Sequence, residues 1–190
     1  MRPAPALSVL AALLTTAALS AEPTRLLRQP DIDAAHVVFC YAGDVWVAGS
    51  GGGDARRLTS FPGVESDPFL SPDGSLVAFS GAYDGNTDVY VVPVAGGEPR
   101  RLTWHPGEDA VRGWTTDGAA VIFASGRTSA PVNYPKLWSV PLAGGAPSPL
   151  PVPRAWRGSM SPEGKRLAYQ MVEPWDGEWR NYRGGQCNPV

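Results

Sequence analysis

Residues 71–103 read SPDGSLVAFSGAYDGNTDVYVVPVAGGEPRRLT, and this stretch decides the fold. Its opening SPDG is a tight-turn tetrad, in which proline presets φ, aspartate bonds the local backbone and glycine accepts a left-handed φ. Two runs follow, at 76–79 and 88–92, and both are rich in the β-branched and aromatic residues that favour strands. Gly96-Gly97 marks a further hairpin. The stretch therefore predicts four short strands joined by turns in one antiparallel sheet.

Imperfect copies of this unit fill most of the remaining chain. The DG pair at 73–74 recurs as DG at 117–118 and as EG at 163–164, at spacings of 44 and 46 residues. The RRLT sequence at 56–59 recurs at 100–103. A period of about 40–50 residues with four strands in each repeat is typical of β-propeller blades. We therefore predict an all-β fold, a β-propeller with four-stranded antiparallel blades. A β-sandwich is disfavoured because it has no sequence repeat at this period.

The repeats fall at approximately 27–62, 63–106, 107–152 and 153–190. The last repeat does not complete its Gly-Gly hairpin and fourth strand. Because propellers close with about four to eight blades, we expect an incomplete propeller of about three blades and part of a fourth, and a chain that is a fragment of a longer protein.

The aromatic residues follow the repeat. Trp46 and Trp138 occupy the repeat position of Tyr90, so all three are predicted to pack between blades on the third strands. Trp175 and Trp179 lie outside the pattern and are candidates for an exposed contact.

Residues 1–21 have the features of a secretory signal peptide. Arg2 supplies a positive n-region, an apolar run covers 7–19, and Ala18 and Ser20 are small residues at a cleavage site. The apolar run is shorter than the roughly 20 residues of a membrane span, and a buried N-terminal helix is the alternative. We therefore expect a mature chain of residues 22–190, periplasmic or secreted, without a membrane anchor.

The composition excludes some classes of partner. The formal net charge is −2, and basic and acidic residues are interspersed, which argues against nucleic acid or an anionic membrane surface as a partner. The arginine pairs at 56–57 and 100–101 end two repeats and are predicted to be solvated on outer strands.

The sequence offers little catalytic or metal-binding chemistry. His36 and His105 fall in different repeats without zinc-ligand spacing, and no Gly-x-Ser-x-Gly elbow occurs. Residues 84–88, DGNTD, resemble the start of a calcium loop but lack its later glycine and glutamate. Cys40 is predicted to pack as a small hydrophobe, and a disulfide with Cys187 is disfavoured. We expect no catalytic residue, no metal site and no cofactor in this chain.

Two arginines are candidates for a binding role. Arg112 and Arg157 fall in the innermost strands of the third and fourth repeats, and innermost strands line a propeller's channel. A channel arginine can hold a carboxylate through two parallel hydrogen bonds. The two lie five and six residues before their turns, so only one is expected to face the channel unless a bulge intervenes. A local salt bridge or a solvated position is the alternative for each.

Four longer strings carry a family resemblance. YDGNTDVY at 83–90, LTWHPG at 102–107, SGRTSAP at 125–131 and YRGGQ at 182–186 together resemble the N-terminal region of tricorn-type proteases. The resemblance implies a six-bladed propeller at the start of a large serine peptidase. A second propeller, a PDZ-like domain and the serine catalytic domains would follow.

The resemblance also implies a function. Propellers of this family gate the passage of peptides to an enclosed chamber, and the parent proteins form homo-oligomers. The implied partners are therefore peptides and the downstream protease domains, with the catalytic serine and histidine beyond Val190. The predicted signal peptide departs from the cytosolic members and suggests an exported bacterial relative. A TolB-like protein-binding propeller without catalysis, or the propeller of another serine hydrolase, remain the alternatives.

Overall fold

The structure, a computed structural model, describes residues 26–129 and 134–171, and across these ranges the chain forms fourteen β-strands and no helix. The first sheet contains β1 (Arg28–Ile32), β2 (His36–Tyr41), β3 (Asp44–Gly49) and β4 (Arg56–Arg57). The second contains β5 (Val64–Leu70), β6 (Leu76–Tyr83), β7 (Asn86–Pro93) and β8 (Arg100–Arg101). The third contains β9 (Asp109–Trp114), β10 (Ala120–Ser125), β11 (Lys136–Pro141) and β12 (Ser148–Pro149). The fourth contains β13 (Arg157–Met160) and β14 (Leu167–Gln170).

In every sheet the strands pair antiparallel and in chain order. We call the three four-stranded sheets blades 1, 2 and 3, and the two-stranded sheet blade 4. The prediction of an all-β, incomplete propeller with four-stranded antiparallel blades is therefore confirmed.

The turn between the first two strands follows the chemistry of the SPDG tetrad. In blade 2 the Ser71 carbonyl accepts a hydrogen bond of 2.8 Å from the Gly74 N–H, and Gly74 has a φ of 69°. The Asp73 carboxylate accepts from the Ser71 hydroxyl at 2.6 Å and from the Ser75 N–H at 3.1 Å. These hydrogen bonds favour the ionised form and lower the pKa of Asp73 to about 2. Asp117 makes the corresponding bonds in blade 3.

A separate hydrophobic core fills each seam between neighbouring blades. Val77 and Phe79 of β6 pack toward blade 1, and Ala78 between them packs toward blade 3. Alternate residues of a strand face opposite sides of its sheet, so the continuous apolar run buries both faces of blade 2. A third cluster, which includes Ile122 and Leu137, joins blade 3 to blade 4. Radial stacking of blades therefore supplies the burial that no single blade could achieve.

The predicted equivalence of the third-strand aromatics is confirmed. Trp46, Tyr90 and Trp138 lie at the same position of β3, β7 and β11, and each pairs with a phenylalanine on the second strand of its blade. Tyr90 and Trp138 are buried and Trp46 is half-buried.

The arginines at the repeat ends lie on the outer strands as predicted, and three of the four are exposed, but they also make specific contacts. Arg57 pairs with Asp44 at 2.8 Å, and Arg101 pairs with Asp88, whose side chain is buried. Asp44 begins β3, Asp88 is the third residue of β7, and both arginines lie on the adjacent fourth strand. The ion pairs therefore fasten the short outer strand of blades 1 and 2 to the rest of its sheet.

The other arginine of each pair reaches the next blade. Arg56 donates a hydrogen bond of 2.6 Å to the Val94 carbonyl, and Arg100 donates one of 2.8 Å to the Leu142 carbonyl. Each bond crosses a seam at the outer rim, from blade 1 to blade 2 and from blade 2 to blade 3. The local sequence did not reveal these contacts because the acceptors are backbone carbonyls about 40 residues away.

Several sequence predictions lie outside the described residues. These are the signal peptide at 1–21, the candidate contact residues Trp175 and Trp179, and Cys187. Cys40 is buried in the core between blades 1 and 2, as predicted for a small hydrophobe. Within the two described ranges, no helix is long and apolar enough to cross a membrane.

Candidate functional site

The first strands of all four blades line one groove. Residues of β1, β5, β9 and β13 surround a cavity of about 1150 Å³, which corresponds to the channel side of the propeller. Apolar side chains, among them Phe69, Trp114 and Met160, form much of its wall. Arg112 and Arg157, the two arginines proposed from the sequence, both line it as well.

A bulge in the first strand places a polar residue at the groove in three blades. The pairing of β1 with β2 shifts between Arg28 and Asp31, and that of β5 with β6 shifts between Ser66 and Phe69. Gln29 and Asp67, inside these irregular stretches, have positive φ values of 50° and 49°. An extra residue in one strand re-aims its side chain. The bulges therefore place the side chains of Gln29 and Asp67 at the wall of the groove.

The bulge in blade 3 accounts for the position of Arg112. The pairing of β9 with β10 shifts between Ile122 and Phe123, and Arg112 is the residue without a direct partner. Arg112 and Arg157 lie five and six residues before their turns, and the bulge at Arg112 is the condition under which both were expected to face the channel.

The bulge residues bond to one another and form a continuous row, which we call the inner belt: Gln29, Asp67, Arg112 and Trp156. Gln29 and Asp67 are joined by two hydrogen bonds of 3.1 Å, one between side chains and one from the Asp67 N–H. Asp67 pairs with Arg112 at 3.1 Å, and Arg112 donates a bond of 2.9 Å to the Trp156 carbonyl. The inner belt thus links the first strands of blades 1, 2 and 3 to the residue preceding β13.

Arg112 is held within the inner belt by several contacts. Its side chain is 4% exposed, its guanidinium lies 4.4 Å from the centre of the Trp156 ring, and it also donates to the Val111 carbonyl at 2.8 Å. Burial lowers the pKa of Arg112, while Asp67 opposes this effect. The geometry shows Arg112 as a part of the wall whose charge is balanced by Asp67 and whose guanidinium is held by two carbonyls and the Trp156 ring.

Arg157 has a different environment. It is exposed, lines the groove, and begins β13 close enough to Arg112 to disfavour the charge of that guanidinium. No hydrogen bond or ion pair reaches its side chain from the described residues. Its guanidinium can therefore offer its donors to an anionic group in the groove.

Two buried carboxylates lie outside the groove and join structural elements. Glu65 of β5 accepts hydrogen bonds from the Val45 N–H at 2.9 Å, from the Thr59 hydroxyl and from the Tyr83 hydroxyl. Burial raises the pKa of Glu65, although these donors act in the opposite direction. Because Val45 and Thr59 belong to the blade 1 side, this carboxyl fastens blade 1 to blade 2.

Asp109, 44 residues after Glu65, is the equivalent group in blade 3. Its buried carboxylate pairs with Arg127 at 2.6 Å. The Arg127 guanidinium in turn lies 5.0 and 5.1 Å from the ring centres of Phe123 and Trp138. This buried pair holds the loop after β10 against the blade, and it does not face the groove.

Neither histidine contributes to the groove. His36 contacts Asp33 at 3.5 Å, and the His105 ring bonds to the backbone of Gly107. In the described part of the chain, no group of three or more histidine, cysteine, aspartate or glutamate side chains is arranged to hold a metal ion. In the loop that resembles a calcium site, Asp88 is already paired with Arg101.

The fold and groove agree with the comparisons with known proteins. Residues 24–190 match the family described as the tricorn protease N-terminal beta propeller domain. The chain belongs to this family. The resemblance inferred from the four sequence strings is therefore confirmed. No curated protein matches the chain.

Solved structures of tricorn and TolB proteins are similar to this tricorn-type propeller. The chain matches TolB from Acinetobacter baumannii at 24% identity and a TM-score of 0.66, over 76% of this chain and 37% of that one. It matches the tricorn protease at 24% identity and a TM-score of 0.66, over 76% of this chain and 15% of that one. It matches a protein assigned as TolB from Agrobacterium tumefaciens at 23% identity and a TM-score of 0.62, over 73% of this chain and 51% of that one. The chain thus spans about half or less of these proteins, and the similarity shows the fold.

Sequence reasoning missed Gln29 and Asp67. Each stands immediately before a proline, Pro30 or Pro68, in a first strand. Proline cannot donate to the strand ladder and is confined to edges and bulges. A polar residue followed by proline in an innermost strand was therefore the available signal for a bulge at the groove.

Proposed function

We propose that this chain is the propeller of a tricorn-like serine peptidase and that its groove guides peptides to catalytic domains elsewhere in the parent protein. Family membership supports this proposal. The described residues contribute a groove and a cation, and the sequence contains no Gly-x-Ser-x-Gly nucleophile elbow. Hydrolysis is therefore assigned to the parent protein, and peptide passage to this chain.

The observation that carries the proposal is the exposed Arg157 on an apolar-walled groove. Ligand sites combine apolar walls with a few polar groups that fix orientation. Phe69, Trp114 and Met160 supply the apolar surface, and Arg157 supplies a fork of donors suited to a carboxylate. Such a groove fits an extended peptide that carries a carboxylate and apolar side chains.

Fluorescence anisotropy with a fluorescein-labelled apolar peptide that contains one glutamate tests the binding role. Arg157→Gln should weaken binding about tenfold, because a hydrogen bond to a charged group contributes about 1.5–3 kcal/mol. Arg166→Gln is the matched control, since Arg166 is an exposed arginine of blade 4 that does not line the groove. Equal affinities of both variants and the wild type would refute the role of Arg157.

The catalytic part of the proposal has its own test. The 190-residue chain should hydrolyse no fluorogenic peptide, whereas the parent protein should do so and be inhibited by a serine-directed reagent. Turnover by the isolated chain that this reagent abolishes would overturn the assignment.

A TolB-like role, binding a partner protein without catalysis, is the second candidate. The chain has the same identity and TM-score to a TolB structure as to the tricorn protease. A parent protein without peptidase activity, together with a groove that binds no peptide, would favour this candidate.

Export and assembly belong to the same proposal. The apolar run at 7–19 and the small residues Ala18 and Ser20 support cleavage near residue 21 and a periplasmic or secreted location. N-terminal sequencing of exported material should begin at Ala21 or Glu22, and a retained Met1 in a cytoplasmic fraction would contradict it. The parent protein should form a homo-oligomer, which light scattering of the purified protein would measure.

A further inference from the structure

We propose that Asp67 determines which ligands the groove accepts: it neutralises Arg112 and leaves Arg157 as the cation available to a bound peptide. This inference rests on the proposed peptide-guiding function. The ligand class that follows is an extended, mainly apolar peptide with a single anionic group. Multiply acidic peptides are disfavoured, because the second arginine of the groove wall, Arg112, is already paired with Asp67 and offers no net positive charge to a second anionic group.

Asp67 is held in place from both sides. Its Oδ1 accepts from the Gln29 side chain at 3.1 Å, and its Oδ2 accepts from the Ser66 hydroxyl at 3.2 Å and from Arg112 at 3.1 Å. Its backbone N–H donates to Gln29 as well. A carboxylate with these partners cannot swing away without losing several hydrogen bonds at once, so its charge stays beside Arg112.

Arg112 is equally constrained. Its Nε and Nη1 donate to the carbonyls of Trp156 and Val111, and its guanidinium packs over the Trp156 ring. Asp67 therefore balances the charge through which Arg112 would otherwise attract an anion in the groove. Loss of the Asp67 charge would leave the Arg112 charge unbalanced, while the two carbonyls and the Trp156 ring still hold the guanidinium in place.

Asp31 provides a matched comparison on the same wall. It also lines the groove, and its carboxylate accepts only the Leu70 N–H, at 2.8 Å, among the described residues. Asp31→Asn and Asp67→Asn remove the same charge from the same groove. Of the two substitutions, only Asp67→Asn also removes the ion-pair partner of Arg112.

The experiment compares three fluorescein-labelled apolar peptides of equal length, with one glutamate, three glutamates or three lysines, by anisotropy. Wild type should prefer the monoglutamyl peptide. Asp67→Asn should raise the affinity for the triglutamyl peptide about tenfold or more, because a charge-assisted hydrogen bond is gained. Asp31→Asn should change it by about threefold at most, since an unpaired change of charge is screened by salt.

Two further variants make the assignment specific. The gain of Asp67→Asn should disappear in the double variant Asp67→Asn/Arg112→Gln, and thermal melting should show that each variant folds. If Asp67→Asn does not fold, Arg112→Gln alone is decisive. It exposes the Asp67 charge and should shift the preference toward the trilysyl peptide. Equal effects of Asp31→Asn and Asp67→Asn, or no shift in Arg112→Gln, would overturn the proposal.

A non-peptide probe separates this inference from the proposed function. A trisulfonated pyrene dye tests the anionic preference of the wall without requiring peptide recognition. Asp67→Asn should bind the dye more tightly than Asp31→Asn, even if wild type binds none of the three peptides. The latter result would refute the peptide-guiding function while leaving the role of Asp67 intact. An unchanged dye affinity in Asp67→Asn would refute the role of Asp67.

Discussion

Replacing Glu65 by alanine should destabilise the seam between blades 1 and 2. Glu65 is 2% exposed, and its carboxylate is the acceptor for the Thr59 and Tyr83 hydroxyls as well as for the Val45 N–H. The Val45 N–H also donates to Thr59 and would keep that bond. The substitution therefore leaves two hydroxyl donors without their acceptor and removes one buried methylene group together with the carboxyl group.

The cost follows from these losses. An unsatisfied buried donor costs about 1–3 kcal/mol, and the half-buried Tyr83 falls at the low end because water can reach it. A buried methylene contributes about 0.8 kcal/mol. Glu65→Ala should therefore lower the free energy of unfolding by about 3–4 kcal/mol. Urea denaturation followed by tryptophan fluorescence would measure this as a lower midpoint with an unchanged slope.

A matched variant and the pH dependence complete the test. Glu98→Ala removes an exposed carboxylate and should change stability by about 0.5 kcal/mol at most. Because burial raises the folded-state pKa of Glu65 above its unfolded value, its contribution is fully present below the unfolded pKa and is lost as pH rises through the folded pKa. Wild type should therefore lose stability relative to Glu65→Gln as pH rises from about 4. Parallel pH profiles, or a Glu65→Ala effect no larger than that of Glu98→Ala, would refute the reasoning.

Three shorter predictions concern the turn, the core and the buried thiol. Gly118→Ala should cost about 1–2 kcal/mol in thermal unfolding, because φ at this position is 68°, whereas Gly51→Ala, which meets open space, should be near neutral. Phe79→Ala should cost about 3–5 kcal/mol, since the ring is fully buried between blades. Burial raises the pKa of Cys40 to about 12, so in a Cys187→Ser background a thiol reagent at pH 8 should react only after unfolding; rapid reaction of the native chain would contradict this.

The sequence predicted the parts of the fold that repeat. Turn tetrads, strand runs and the third-strand aromatics recur at a fixed period because every blade needs the same turn and the same two buried faces. Asp73 illustrates this, since its hydrogen bonds are made within five residues of the chain. Local chemistry of this kind can be recognised without knowledge of the tertiary structure.

The contacts between blades could not be predicted in the same way. Arg56 and Arg100 bond to backbone carbonyls in the next blade, and a carbonyl carries no side-chain signature. Asp67 and Arg112 are 45 residues apart in sequence and meet only because both of their strands bulge. The sequence showed that Arg112 and Arg157 lie at different distances from their turns, so that both could face the channel only with a bulge. It did not show that Arg112 would contact Asp67.

The groove therefore takes its chemistry from positions where the blades differ. Gln29, Asp67, Arg112 and Arg157 lie on four first strands, and the fold brings them to one wall. Packing between blades restricts residues such as Phe79 to large apolar types, whereas the wall of a channel tolerates polar substitution. One repeated scaffold can thus present a different side chain from each blade. If Asp67 sets the selectivity of this groove, ligand preference among related propellers should vary with the residues at these four positions and remain insensitive to conservative changes in the seams.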